Sequence, residues 1–232
     1  MVDQQGELAG VIVDRSGWPD YYEAHRTTTS DVYPSEWFFL KDLLRESVSI
    51  LDVGCAAGGL ASICREHLRT FEYTGVDISE EMVRRGKQRH PEHQFHVIGD
   101  ADLTVLGGRE YDLVVCLGVL HLTRTWRELV AASWVHTKGA LLLDLRESST
   151  ATLEDPTVSY YRVDELPPTG APTAATLPYN VINSSDARGT LLTLCAGAVG
   201  LTHYGYLSQP SGGAVTPVKD ILMNTYRIDR KR

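Results

Sequence analysis

Five side chains could do chemistry together: the carboxylates of Asp52, Asp77, Asp100 and Asp144 and the imidazole of His121, each in or just beyond an apolar run. Carboxylates gathered at one place accept hydrogen bonds from sugar hydroxyls and amino groups, and they offset a positive charge. An imidazole titrates near neutrality and can take up a proton during a transfer. Between the first two acids lies a glycine-rich stretch, Gly54-Cys55-Ala56-Ala57-Gly58-Gly59. With no Cβ at Gly54, Gly58 and Gly59, a turn there lets its backbone approach a ligand closely. A helix behind it aims unsatisfied N–H groups at the same point. Asp77 follows roughly 20 residues later, the separation at which a nucleotide-binding unit sets an acid against ribose hydroxyls.

Alternating strands and helices must position these groups. Ser49-Ile50-Leu51-Asp52-Val53 reads as a strand, and Leu60 to Leu68 carries apolar residues at helical spacing. Phe71 to Asp77 is a second strand ending in its acid. Ser79 is expected to cap a helix over Glu80 to Arg89, with Glu80 and Glu81 in the first turn and Pro91 as the stop. Gln94 to Ile98 alternates as a third strand, followed by Gly99-Asp100-Ala101. Tyr111 to Leu122 is a fourth strand and its exit, apolar throughout as a strand buried on both faces should be. A helix over Thr125 to Val135 and a fifth strand within Lys138 to Glu147 continue the pattern. The alternation predicts an α/β fold with a doubly wound parallel sheet. Such sheets bind ligands outside the carboxyl ends of their strands, so all five side chains should meet at one crevice.

The two ends of the chain read less regularly. Residues 1–46 are expected to form a helical cap, in which Pro19 suits the first turn of a helix near Trp18 and Tyr33 to Leu44 is a second helix. Residues 148–180, rich in Thr, Pro and Ala, read as an acceptor-side insertion or lid, with Tyr160, Tyr161, Arg162 and Tyr179 as contacts. Ser184-Ser185-Asp186 is expected to cap a helix over Ala187 to Ala198, and strands follow at Leu201 to Leu207 and Lys219 to Ile228.

Leu51-Asp52-Val53-Gly54-Cys55-Ala56-Ala57-Gly58 resembles the first motif of class I S-adenosylmethionine-dependent methyltransferases, and Gly75-Val76-Asp77-Ile78-Ser79-Glu80-Glu81-Met82 resembles their second. The similarity covers about Val48 to Leu145, with alanine at position 56 where the family's pattern has glycine. It implies a single domain over 1–232 with a Rossmann-like seven-stranded sheet, the last two strands an antiparallel pair and helices on both faces. It also implies S-adenosyl-L-methionine as cofactor and S-adenosyl-L-homocysteine as product, with no metal. The residues it assigns to the cofactor are Asp52, Gly54, Cys55, Ala56, Gly58, Asp77, Ile78, Asp100, Ala101 and Leu117, with Asp100 at the adenine amino group. In the small-molecule branch of the family the N-terminal cap lies over the cofactor and helps build the acceptor pocket. Tyr21, Tyr22, Arg26, Arg146 and Tyr179 are the candidates for acceptor contacts. His121 falls at the rim of the family's active site and is the first candidate for a general base, with a histidine that merely packs or hydrogen-bonds beside the cofactor as the alternative reading. His25 and His203 lack a placing motif. The Asn-Pro-Pro-Tyr and Asp-Pro-Pro-Tyr motifs of enzymes that methylate nucleobase amino groups are absent, which counts against such substrates.

Composition narrows the partners. The chain has 232 residues, with 22 Lys and Arg against 30 Asp and Glu, a formal net charge of −8. That balance disfavours nucleic acid and anionic membranes, where a basic footprint is expected. Cys55, Cys64, Cys116 and Cys195 are scattered through apolar segments, with neither metal-clip nor disulfide spacing, as buried thiols of a reducing compartment would be. With no stretch resembling a signal peptide or a membrane span, a cytoplasmic location is expected. A homodimer is compatible with the sequence, which carries nothing that fixes the oligomeric state.

These readings favour methyl transfer to an oxygen or nitrogen of a small-molecule acceptor, such as a secondary metabolite or sugar intermediate. Two alternatives stand beside it. Gly54-x-Ala56-x-x-Gly59 can be laid onto the dinucleotide fingerprint, which would make the chain a nicotinamide-dependent oxidoreductase. A catalytically silent binding domain with the same fold is the other. Asp52 just before the turn and the Gly-Val-Asp-Ile-Ser stretch match the methyl-donor family better.

Overall fold

Hydrophobic periodicity alternates between that of helix and strand along most of the chain, and the computed structural model, which describes residues 4–163 and 176–231, follows that alternation. Three helices come first: α1 (Gln4–Asp14), α2 (Trp18–Ala24) and α3 (Pro34–Leu43). Then come β1 (Val48–Val53), α4 (Gly59–His67), β2 (Phe71–Asp77), α5 (Glu80–Arg89), β3 (Gln94–Val97), β4 (Tyr111–Cys116), α6 (Trp126–Val135) and β5 (Thr137–Ser148). The remainder supplies β6 (Tyr160–Arg162), β7 (Thr176–Pro178), β8 (Ile182–Asn183), α7 (Ser184–Leu194), β9 (Ala198–Ser208), β10 (Ala214–Val215) and β11 (Ile221–Arg230).

The main sheet runs β3-β2-β1-β4-β5-β11-β9, and the two-residue β8 pairs beside the end of β5 as an eighth strand. The first five strands are mutually parallel, and β11 is antiparallel to both β5 and β9. This is the doubly wound sheet with an antiparallel end pair that the sequence predicts, enlarged by β8. Both faces are covered. Ile50, Leu113 and Leu142 pack with Leu40 of α3 and Cys64 of α4, while Leu51, Val114, Leu141 and Leu143 pack with Trp126 and Val130 of α6. Neighbouring residues of one strand thus serve opposite clusters, as the period of two requires, and both neighbours are apolar because neither face meets water.

Local rules fix several helix ends. Ser79 caps α5, its Oγ accepting from the Met82 N–H at 3.0 Å. The cap of α7 is Asn183, whose side chain accepts from the Ser185 N–H at 2.9 Å, so the helix starts at Ser184. It ends at Leu194 rather than Ala198, because Ala198 is the first residue of β9. Helix α1 is absent from the sequence-based reading. The insertion also differs from a plain loop: β6, β7 and β10 form a small antiparallel sheet, with Tyr161 opposite both Leu177 and Ala214. Its middle, residues 164–175 with Pro167, Pro168 and Pro172, lies outside the described residues.

The four cysteines are buried and unpaired. No helix among the described residues is long and apolar enough to cross a membrane.

Candidate active site

The glycine turn joins β1 to α4 and is tied to β2, because the N–H groups of Gly54 and Cys55 both donate to the Val76 carbonyl, at 2.8 and 3.1 Å. Gly54 and Gly58 each take a φ of +78°, a conformation glycine adopts at little cost. Ala56 takes a φ of +46°, which costs a residue with a Cβ roughly 1–2 kcal/mol. What holds it is Asp77. One carboxylate oxygen of Asp77 accepts from the Ala56 N–H at 2.8 Å and the other from the Ser79 N–H at 2.9 Å. A carboxylate offers about four acceptor positions, so two remain for a ligand's hydroxyls.

Asp52, one strand over, accepts the Tyr73 hydroxyl at 2.6 Å. Burial pushes its carboxyl up to about 7; the Tyr73 hydrogen bond opposes that rise and the neighbouring Asp77 charge adds to it. Burial raises Asp77 as well, against the stabilising Ser79 and Ala56 N–H groups. Two carboxylates that resist ionisation side by side are a ready site for a ligand carrying positive charge.

The N-terminal helices close over this region. Gly10 of α1 lies so near the β2–α5 connection that a Cβ there would stand 2.6 Å from the Ile78 carbonyl oxygen. The Asp14 carboxylate accepts the Ser79 hydroxyl, and Arg85 of α5 reaches Asp20 of α2 at 2.8 Å. Val13, Trp18, Met82, Val163 and Leu177 form one apolar cluster, joining the helical cap to the residues around the small sheet.

Beneath this roof is a cavity of about 640 Å³, within the size range of small-molecule sites. Asp52, Gly54, Cys55, Ala56, Asp77, Ile78, Asp100 and Leu117 line it, and so do His121, Tyr21, Tyr22, Arg26 and Arg146. Most of the sequence-predicted candidates therefore meet, but Gly58, Ala101, Tyr179, Asp144, Tyr160 and Arg162 are not among the lining residues. Gly58 turns away from the cavity: a Cβ on it would come within 2.9 Å of both His90 and Phe95. Ala101 packs against the core at the α6 face of the sheet. Tyr179 is fully buried behind the wall, edge-on to the His121 ring with centroids 5.5 Å apart. Asp144 also stands back from the surface, ion-paired to Arg146 and accepting the Gly118 N–H at 2.6 Å. His25 lines the cavity and stacks on Tyr21, whereas His203 sits on β9 against Tyr226.

Two ion pairs flank the cavity, the second of them fully buried. Arg26 reaches Glu36 at 2.7 Å, and Arg146 pairs with Asp144. Although burial opposes it, the Arg146 guanidinium keeps the Asp144 carboxyl below its ordinary range. Burial, reinforced by Arg146, pushes the His121 imidazole well below its usual value, so the ring is neutral at physiological pH. The expectation of a base near neutrality is thus corrected, because its surroundings exclude water and already hold two guanidinium groups. Glu36 and α1 escaped the sequence reading. Apolar spacing in Leu8-Ala9-Gly10-Val11-Ile12-Val13 could have revealed the helix, but nothing in the sequence marks Glu36 as the partner of Arg26.

Comparison with known proteins agrees with this geometry. Residues 51–138, which hold the turn and the first four strand ends, match the family model described as a methyltransferase domain. The chain has the class I methyltransferase fold. The N-terminal domain of EvdMO1, crystallised with S-adenosylhomocysteine, superposes with a TM-score of 0.56 at 16% identity, covering 82% of this chain and 78% of that one. An S-adenosylmethionine-dependent methyltransferase from Clostridium acetobutylicum gives 0.55 at 15% identity, over 88% and 94%. Magnesium protoporphyrin IX methyltransferase from Synechocystis, with bound S-adenosylhomocysteine, gives 0.52 at 18% identity, over 84% and 79%. A stretch of 101 residues is 31% identical to part of the non-reducing polyketide synthase trt4 of Aspergillus terreus; it spans 38% of this chain and 4% of that protein. In this methyltransferase fold the acids at the ends of β1 and β2 occupy the crevice where ligands of parallel sheets bind.

Proposed function

We propose that this chain is an S-adenosylmethionine-dependent methyltransferase acting on an oxygen or nitrogen of a small-molecule acceptor. The observation that carries this reading is the convergence of Asp52, Asp77 and Asp100, from three strand ends, on one roofed cavity beside the glycine turn. Asp77 takes the ribose hydroxyls with its two remaining acceptor positions, and Asp100 takes the adenine amino group. Asp52 and the turn from Gly54 to Ala56 face the charged methionine part. The donor supplies an electrophilic methyl on a positively charged sulfur. Alignment of the acceptor then accounts for much of the rate. His121 is too weak a base to remove a proton in advance, and its Nδ1 is buried without a partner. Its role in this reading is to accept a hydrogen bond from the acceptor's O–H or N–H and so aim the lone pair. The roof of α1, α2 and the small sheet supports a small acceptor, and the polyketide synthase relative is in keeping with one.

Calorimetric titration tests the reading. S-adenosylhomocysteine should bind at micromolar affinity, and NAD and NADP should not. The reverse result would establish the oxidoreductase alternative. A methyl donor that binds but never turns over across a broad acceptor panel would leave the silent binding domain.

Two further outcomes are expected. Because the Asp52 carboxyl sits at about 7, the ammonium group at the amino-acid end of the ligand must expel its proton at lower pH. Linkage then makes S-adenosylhomocysteine affinity rise by about 10-fold between pH 6 and pH 8. Asp52→Asn should flatten that profile, and an unchanged slope would remove Asp52 from the charged end. Gly10→Ala should drive α1 off Ile78, since the obstructing atom is backbone and cannot swing aside. The measurable result is faster S-adenosylhomocysteine dissociation in stopped flow, with the melting temperature nearly unchanged.

A further inference from the structure

We propose that the acceptor is a planar conjugated acid whose anionic oxygen docks on the Arg146 guanidinium in the cavity wall. The inference rests on the methyltransferase reading and names the class of molecule that reading leaves open.

Three arginines, Arg26, Arg124 and Arg146, line the cavity beside its carboxylates, and of these Arg146 is the buried one. Arg146 is 3% exposed yet lines the cavity, and its Nε–H is buried with no hydrogen-bond partner. Trp18, which also lines the cavity, carries a second buried and unpartnered N–H, and like the Arg146 Nε–H it can only donate. Unmet donors of this kind are costly, and a bound carboxylate or acidic phenol oxygen offsets that cost. Arg26 adds accessible charge: its side chain is 27% exposed, and its guanidinium lies 5.0 Å from the Tyr33 ring centroid.

Planarity follows from the ring lining. Trp18, Tyr22 and Tyr161 all line the cavity, and Trp18 meets the two tyrosines edge-on, with centroids 6.1 and 5.7 Å apart. Flat faces and edges at these spacings suit a conjugated ring better than a flexible sugar.

The test uses the full chain, with and without saturating S-adenosylhomocysteine, titrated with 4-hydroxybenzoate and with its neutral amide, 4-hydroxybenzamide. The acid should bind about 10-fold tighter than the amide, the difference expected of a charge-assisted hydrogen bond. In the paired substitution Arg146→Gln with Asp144→Asn, which removes both buried charges together, that preference should collapse. Arg146→Lys keeps the ion pair and serves if the pair of changes misfolds; it should weaken the acid while leaving the amide unchanged. S-adenosylhomocysteine affinity is the control for folding. Equal binding of acid and amide, binding of neither, or a preference untouched in both variants overturns the proposal. Failure of wild type to bind S-adenosylhomocysteine overturns the methyl-donor reading instead, and the titration without it still shows whether the cavity selects anions.

Discussion

Asp77→Ala is expected to weaken S-adenosylhomocysteine binding by at least about 100-fold while the protein stays folded. Each hydrogen bond to a charged acceptor contributes about 1.5–3 kcal/mol, and the ribose assignment places two on this carboxylate. The substitution also frees the Ala56 and Ser79 N–H groups, which Asp77 holds at 2.8 and 2.9 Å. Part of the loss will therefore come from a slack turn rather than from missing ribose contacts. Asp77→Asn separates the two. Its amide oxygen still accepts one backbone N–H, so a penalty nearly as large as that of alanine would come from the charge, and a much smaller one from the turn. Calorimetry gives both affinities, and the melting temperature shows whether the fold survives. An affinity unchanged in both variants would dismiss the ribose assignment.

The second large effect is on stability. Asp144→Ala should destabilise the protein by about 3–5 kcal/mol, because it strands the Arg146 guanidinium in the interior. It also leaves the Gly118 N–H, now 2.6 Å from Asp144, without its acceptor. For a chain of this size a loss of that order lowers the melting temperature by roughly 6–20 °C. Exchanging both partners for apolar residues, Asp144→Leu with Arg146→Met, should recover most of the stability, since the cost lies in the unpaired charge rather than in the absence of the pair. If the single substitution melts within a degree or two of wild type, Arg146 finds water or another partner, and the structure around it yields.

The central part of this structure is written plainly in its sequence. Runs such as Ile50-Leu51 and Val114-Val115 are apolar on both strand faces, and that alone announces a parallel sheet covered on each side. The turn and Asp77 are legible because their spacing is imposed by a single strand–helix–strand unit. What could not be read depends on partners distant in the chain. Glu36 matters only because the fold carries Arg26 to it, and Tyr179 leaves the cavity wall only because neighbouring residues cover it. The His121 titration follows the same rule: the residue type suggests neutrality, but burial and Arg146 decide otherwise. Helix α1 is a different case, because the apolar spacing from Leu8 to Val13 is legible in the sequence while its docking on Ile78 is not.

Ala56 retains a left-handed backbone that its methyl group resists, clasped by the same carboxylate assigned to the ligand. Occupancy and local opening at this one amide are consequently linked. Deuterium uptake at position 56 should slow sharply once Asp77 is engaged, while amides in the middle of β5 keep their rate. A single exchange-resistant proton would then report filling of the donor site in any mixture, before an acceptor has been found.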